Sequence, residues 1–148
     1  GSKRPDPKDR LLAVHRAAAD ALTPRVDRLF LAGRSMGGRM GTYLAADGYP
    51  AAGLVLYAYP LHPAGKPERL RVEHLGAITC EVLMVIGDRD AMCTPELYDR
   101  HVRPLPNVTT HVLACADHSW RVLKRSGRTP EDVFDEAAAA TLRWAQRL

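Results

Sequence analysis

A serine bracketed by glycines, Gly33-Arg34-Ser35-Met36-Gly37, stands where a short apolar run gives way to a helical pattern. Arg28-Leu29-Phe30-Leu31-Ala32 is the apolar run and reads as a strand. Met36 to Ala46 reads as a helix, with Met36, Met40 and Leu44 at i, i+4 and i+8. A serine at that joint must turn the chain sharply on strained backbone angles, and small residues two before and two after it keep the turn free of clashes. Gly37 and Gly41 share a neighbouring stripe, where missing side chains let the helix approach a sheet closely. Free N–H groups at the helix start would favour negative charge beside the serine, with the Met36 N–H as the candidate oxyanion donor.

The same alternation runs through the rest of the chain. Asp6-Pro7 reads as N-cap and first residue of a helix that carries Leu11, His15, Ala18 and Leu22 on one face and ends at Thr23-Pro24. Further strands are expected at 53–59, 81–86 and 108–113, and further helices at 95–102 and from Thr129-Pro130 onward. The nearly unbroken apolar run Val82–Ile86 fits a parallel strand covered on both faces. The last helix places Phe134, Ala137, Thr141, Trp144 and Leu148 along one face. Residues 60–79 lapse into Pro, Gly and charge, with one helical turn expected near 68–74. The fold class is therefore α/β, a parallel sheet of about four strands flanked by helices, in one domain over 3–148. Gly1-Ser2 reads as a cleavage scar.

Bulk composition narrows the function only by exclusion. The chain has 148 residues, 46% of them hydrophobic, which excludes disorder and fibrous architectures. No apolar run approaches the ~18 residues of a membrane span, so no membrane partner is expected. The net charge of +4 comes from arginines interleaved with acids rather than a basic stripe with aromatic partners, so no nucleic acid is expected either. Three cysteines, Cys80, Cys93 and Cys115, form no CxxC pair; they argue against a disulfide framework or zinc knuckle and for a reducing, cytoplasmic setting. No metal or cofactor is expected.

G-x-S-x-G alone arises by chance about once in twenty chains of this length. Its partners carry the argument further. A serine hydroxyl needs an imidazole base, itself oriented by a carboxylate. The third strand ends in Gly87-Asp88-Arg89-Asp90 and the fourth in Ala114-Cys115-Ala116-Asp117-His118-Ser119. Serine, acid and histidine thus follow one another at three strand ends. Asp90 lies further out than Asp88 and is the better candidate to meet His118; Asp88 is expected to cap the turn or pair with Arg89.

Gly33 to Arg39, Tyr59-Pro60-Leu61-His62-Pro63 with Gly65-Lys66-Pro67-Glu68, Gly87 to Asp90, and Asp117-His118-Ser119 together resemble a known family. It is that of the α/β-hydrolases related to dienelactone hydrolase, with testis-expressed and NSL-complex hydrolase-like members. The resemblance runs from about Pro5 to the C-terminus. It implies Ser35, Asp90 and His118 as a catalytic triad, with Ser35 on a nucleophile elbow, and it implies that the irregular 60–79 stretch is a family trait. His62 would then lie near the mouth of the site, although a loop histidine held by its prolines is the simpler reading.

Two departures stand out. Relatives carry Pro-Phe-Gly after the acid, whereas this chain has Ala91-Met92-Cys93, so its acid loop is expected to sit differently. Relatives also have several strands before the first helix seen here, and a loop among them supplies a second oxyanion donor. Residues 28–32 would then form an edge strand, which implies either an N-terminally truncated domain or another chain, such as a second copy, over that edge.

The expected activity is a serine esterase or thioesterase acting on a small-molecule ester or thioester, with His62, Tyr59 and Met92 as candidate pocket residues. A single oxyanion donor would make the chain slow, by ~10²–10³ in turnover. The alternative is a non-catalytic α/β-hydrolase-like interaction module in which Ser35 and His118 need not touch.

Overall fold

The run Val82–Ile86 forms the middle of strand β3 (Glu81–Gly87), buried from Val82 onward. A computed structural model describes residues 5–148; the scar read at Gly1-Ser2 and the domain start placed at Lys3 lie outside them. Around β3 the chain lays down β1 (Phe30–Arg34), β2 (Gly53–Tyr57) and β4 (Val108–Leu113). All pairings are parallel, in the order β1-β2-β3-β4. Helices α1 (Lys8–Leu22), α2 (Met36–Ala46), α3 (Pro95–His101) and α4 (Pro130–Ala145) make the crossovers and flanks. No helix among the described residues is long and apolar enough to cross a membrane.

Period-two alternation splits the sheet into two cores. Leu54, Leu56, Val82, Met84 and Ile86 pack with Ala45, Tyr59, Leu61 and Val102 on one face. Val55, Leu83, Val85 and Leu113 pack with Val133, Ala137 and Trp144 of α4 on the other. Because both faces are covered, β3 tolerates no polar residue from Val82 to Ile86.

Where expectation and structure differ, packing is the reason. The first strand forms at Phe30–Arg34 rather than 28–32, because pairing of Gly33 with Leu56 and Arg34 with Tyr57 keeps the chain extended up to the turn. The second stops at Tyr57 rather than 59, where Ala58 turns to φ 48°. Helix α1 starts at Lys8, with Pro7 extended (ψ 149°) in the N-cap place and no side-chain cap; Asp6 instead meets Arg10 at 3.3 Å. Its buried stripe runs through Leu12 and Ala19 onto Leu44 and Tyr49, leaving Ala18 and Leu22 exposed. In α4 the buried residues are Val133, Ala137, Ala140 and Trp144, while Phe134 is 52% exposed and Leu148, beyond the helix end at Ala145, is 42% exposed. The expected turn near 68–74 lies instead at Leu75–Ala77, and α3 ends one residue early, at His101.

The edge reading of the first strand is as expected: among the described residues β1 pairs only with β2. The irregular 60–79 stretch is tied down by Tyr59 Oη donating to Arg71 O (2.9 Å), Arg71 N to Leu61 O (2.8 Å) and Leu61 N to Met92 O (2.8 Å). The last of these bonds joins it to the loop after β3.

Candidate active site

Ser35 sits between β1 and α2 at φ 48° and ψ −109°, a left-handed φ that a side chain rarely adopts. Its N–H donates to Tyr57 O at 2.9 Å, extending the β1–β2 ladder into the turn. A glycine is required at position 33: a Cβ there would lie 2.5 Å from Gly37 C and Gly38 N. The close approach is therefore between Gly33 and the Gly37–Gly38 peptide, and it does not depend on missing side chains along the Gly37/Gly41 stripe. Gly37 has nothing within 4 Å of an added Cβ, and Gly41 meets only ordinary contacts at 3.8 Å.

Serine at an N-cap ordinarily accepts from the backbone of the first helical turn. Ser35 makes no such bond. Its Oγ lies 3.1 Å from His118 Nε2 instead, across 83 residues of sequence. The N–H groups of the first turn, beginning with Met36, have no intrahelical acceptor and leave the positive end of α2 at the hydroxyl.

The carboxyl ends of β3 and β4 supply the partners. Asp90 follows β3, its side chain fully buried, with Oδ2 at 2.8 Å from His118 Nδ1. Its other oxygen, Oδ1, accepts from Met92 N–H at 2.8 Å, so both oxygens are occupied. His118 occupies a turn closed by Trp120 N donating to Asp117 O at 2.9 Å. Asp117 Oδ1 braces that turn by accepting from Ser119 N (2.8 Å) and Arg121 N (3.0 Å). At position 87 an added Cβ would fall 2.2 Å from Ala116 O, so glycine there lets the acid and histidine loops close on each other.

The other candidates scatter. Tyr59 is a core residue, fully buried with its hydroxyl bonded to Arg71 O, and burial pushes its phenol up to about 12. Its expected pocket role fails on that burial. His62 is buried too, its Nδ1–H donating to Pro63 O at 2.8 Å and its Nε2 without a partner among the described residues. Met92 is half-buried and serves the site through its backbone N–H. Asp88 is exposed and neither caps nor pairs with Arg89 among the described residues; Arg89 donates to Cys115 O at 3.3 Å. Cys93 is buried, and burial with the nearby Asp90 charge pushes its thiol up to about 12, which leaves it protonated and unreactive. Five surface concavities are lined by residues other than Ser35, Asp90 and His118. No group of three or more His, Cys, Asp or Glu among the described residues is placed to hold a metal ion.

One contact at the site had no signal in the linear sequence. Arg34, the residue before the serine, donates from Nη2 to His118 O at 2.9 Å, across 84 residues.

With its Nδ1 proton directed at Asp90, the imidazole presents Nε2 as an acceptor to the Ser35 hydroxyl. The arrangement can accept a proton from the serine as it attacks, while Asp90 stabilises the imidazolium that forms.

The family model of an alpha/beta hydrolase domain matches residues 1–146. Among solved structures, a candidate dienelactone hydrolase of Klebsiella pneumoniae superposes with a TM-score of 0.73 at 19% identity, over 96% of this chain and 62% of that one. An alpha-beta serine hydrolase homologue from Coxiella burnetii gives 0.65 at 19% identity, over 94% and 61%. A thermophilic esterase from Thermogutta terrifontis gives 0.65 at 17%, over 93% and 72%. The chain thus spans about three fifths of the length of the first two.

Proposed function

The chain belongs to the alpha/beta hydrolase domain family, and from that premise we propose that it is a serine hydrolase cleaving a small carboxylic ester or thioester. Ser35 Oγ attacks the acyl carbon as its proton passes to His118 Nε2. The Met36 N–H holds the charge that develops on the carbonyl oxygen. Collapse breaks the bond to the leaving alcohol or thiol, which takes the proton from His118. Water then attacks the acyl-enzyme, His118 accepts its proton, and the acid leaves as Ser35 Oγ recovers the hydrogen.

The observation that carries this reading is the unbroken chain of contacts from Ser35 Oγ to His118 Nε2 (3.1 Å) and from His118 Nδ1 to Asp90 Oδ2 (2.8 Å). The strained φ of Ser35 and its unused capping role support it. The test is release of product from a p-nitrophenyl acyl ester and a short acyl thioester. Ser35→Ala and His118→Ala should each remove at least about 10²-fold of the enzymatic rate. A rate that survives Ser35→Ala would refute it.

Among the described residues β1 pairs only with β2, which favours a second reading, a non-catalytic interaction module with a polypeptide or second copy on that edge. That reading expects no turnover and no acylation of Ser35. The contact between serine and histidine favours the enzyme. A cytoplasmic setting, with three free thiols, goes with this proposal.

A further inference from the structure

Two short links join the serine turn to the histidine turn through Arg34. One is the peptide bond from Arg34 to Ser35. The other is the hydrogen bond from the Arg34 guanidinium to the carbonyl of His118 itself, at 2.9 Å. The guanidinium is also held from the side, its carbon 5.2 Å from the Trp120 ring centroid. Trp120 is only 4% exposed and makes edge-to-face contacts with Tyr57 (5.5 Å) and Phe134 (5.3 Å). It belongs to the His118 turn and takes a left-handed φ of 61°. The arginine thus rests on the one buried aromatic of the loop whose carbonyl it grips.

We propose that Arg34 is a positioning residue, a clamp that locks the histidine turn onto the serine turn and so holds the imidazole at proton-transfer distance. It rests on the reading of Ser35 as nucleophile and His118 as its base, and adds a residue outside the three. Other bonds brace the turn from within, Asp117 Oδ1 on Ser119 N and Arg121 N and Trp120 N on Asp117 O, and His118 Nδ1 ties it to Asp90 in the loop after β3. None of those bonds connects the turn to β1 or α2. Removing the guanidinium therefore leaves the turn and its bond to Asp90 in place but loosens it relative to Ser35, and a misplacement of about 1 Å can cost on the order of 10² in rate.

The protein carries its own control. Arg28 makes the same pair of contacts far from the site, donating to Ala145 O at 3.1 Å with its guanidinium carbon 5.2 Å from the Phe30 ring. The experiment compares Arg34→Ala, Arg34→Lys and Arg28→Ala with the unaltered chain. It measures the second-order rate of fluorophosphonate labelling at Ser35, and hydrogen exchange of the amides of residues 117–121. Arg34→Ala should slow labelling by about 10- to 100-fold and speed exchange by roughly fivefold, the equivalent of one lost hydrogen bond. Arg34→Lys, which keeps a donor and a cation over the indole, should recover part of both. Arg28→Ala should leave both within about twofold while losing similar overall stability.

Labelling and exchange in Arg34→Ala that match the unaltered chain would overturn the proposal, as would equal effects in Arg28→Ala. If the unaltered chain is not labelled at Ser35, the hydrolase reading fails. Exchange then decides the clamp alone: faster exchange confined to 117–121 sustains it, and unchanged exchange removes it.

Discussion

Replacing Asp90 by asparagine changes one atom of a buried group and should nearly silence the site. Both carboxylate oxygens accept at 2.8 Å, Oδ1 from Met92 N–H and Oδ2 from His118 Nδ1–H. Asparagine has one oxygen to offer. If that oxygen faces His118, the amide NH₂ confronts the Met92 N–H, and a buried donor goes unsatisfied at about 1–3 kcal/mol. The amide therefore turns its oxygen to Met92 and its NH₂ to Nδ1, which must become the acceptor. The proton moves to Nε2, facing a serine hydroxyl that can no longer hand over its own. That preference leaves about one site in ten to one in a hundred in the productive tautomer. Loss of the charge opposite the imidazolium removes the rest, for a total near ~10⁴ in rate, or about 5.5 kcal/mol of transition-state stabilisation. The assay is the second-order rate of fluorophosphonate labelling, with a urea midpoint to check that the near-isosteric variant remains folded. A loss smaller than about tenfold in a folded Asp90→Asn variant would refute the tautomer argument.

Other outcomes follow from the same geometry. Gly33→Ala places a Cβ 2.5 Å from backbone atoms of Gly37 and Gly38 and should cost at least about 1–3 kcal/mol in urea unfolding. Gly37→Ala, with open space around it, should be neutral or stabilising by up to about 1 kcal/mol. Iodoacetamide at pH 8 should leave Cys93 unmodified in the folded protein and alkylate it in urea, because burial pushes its thiol up to about 12; peptide mapping reads the difference. His74 is pulled down to about 4 by burial and by the Lys8 charge. Its folded pKa lies below its unfolded one, so the unfolded chain binds the extra proton and the contribution is lost as pH falls from about 6.5 toward 4. His74→Gln, which keeps a donor for Thr42 Oγ1 (2.9 Å from His74 Nε2), should lose less stability than the unaltered chain between pH 7 and pH 4.5.

The sheet was legible because β1, β2 and β3 carry short apolar runs bounded by turn residues, and β3 reads as doubly buried from five consecutive apolar side chains. The site was legible because three loops at strand ends offered serine, carboxylate and imidazole in order. Helix faces were harder. Phe134 shares a periodic face with Ala137, Thr141 and Trp144, yet the sheet receives its neighbour Val133, while Phe134 lies against the Trp120 ring at 5.3 Å. In α1 a rotation of one residue moves the stripe from Leu11 and Ala18 to Leu12 and Ala19, since adjacent residues differ by only about 100° around the axis. The role of Gly38 was hidden because close approach depends on where the turn folds back, not on the spacing of glycines. Tyr59 beside His62 reads as pocket lining, and its full burial and the bond to Arg71 O place it in the core. Arg34 had no signal at all, since its partner lies 84 residues away.

The central claim is that residue 35 becomes a nucleophile through residues 118 and 90, and covalent capture tests it most directly. The chain is treated with a fluorophosphonate, digested, and the adduct located by tandem mass spectrometry. The account predicts one adduct on Ser35, lost in Ser35→Ala and strongly slowed in His118→Ala. An adduct on any other residue, or labelling of Ser35 that proceeds at the same rate without the imidazole, would contradict it.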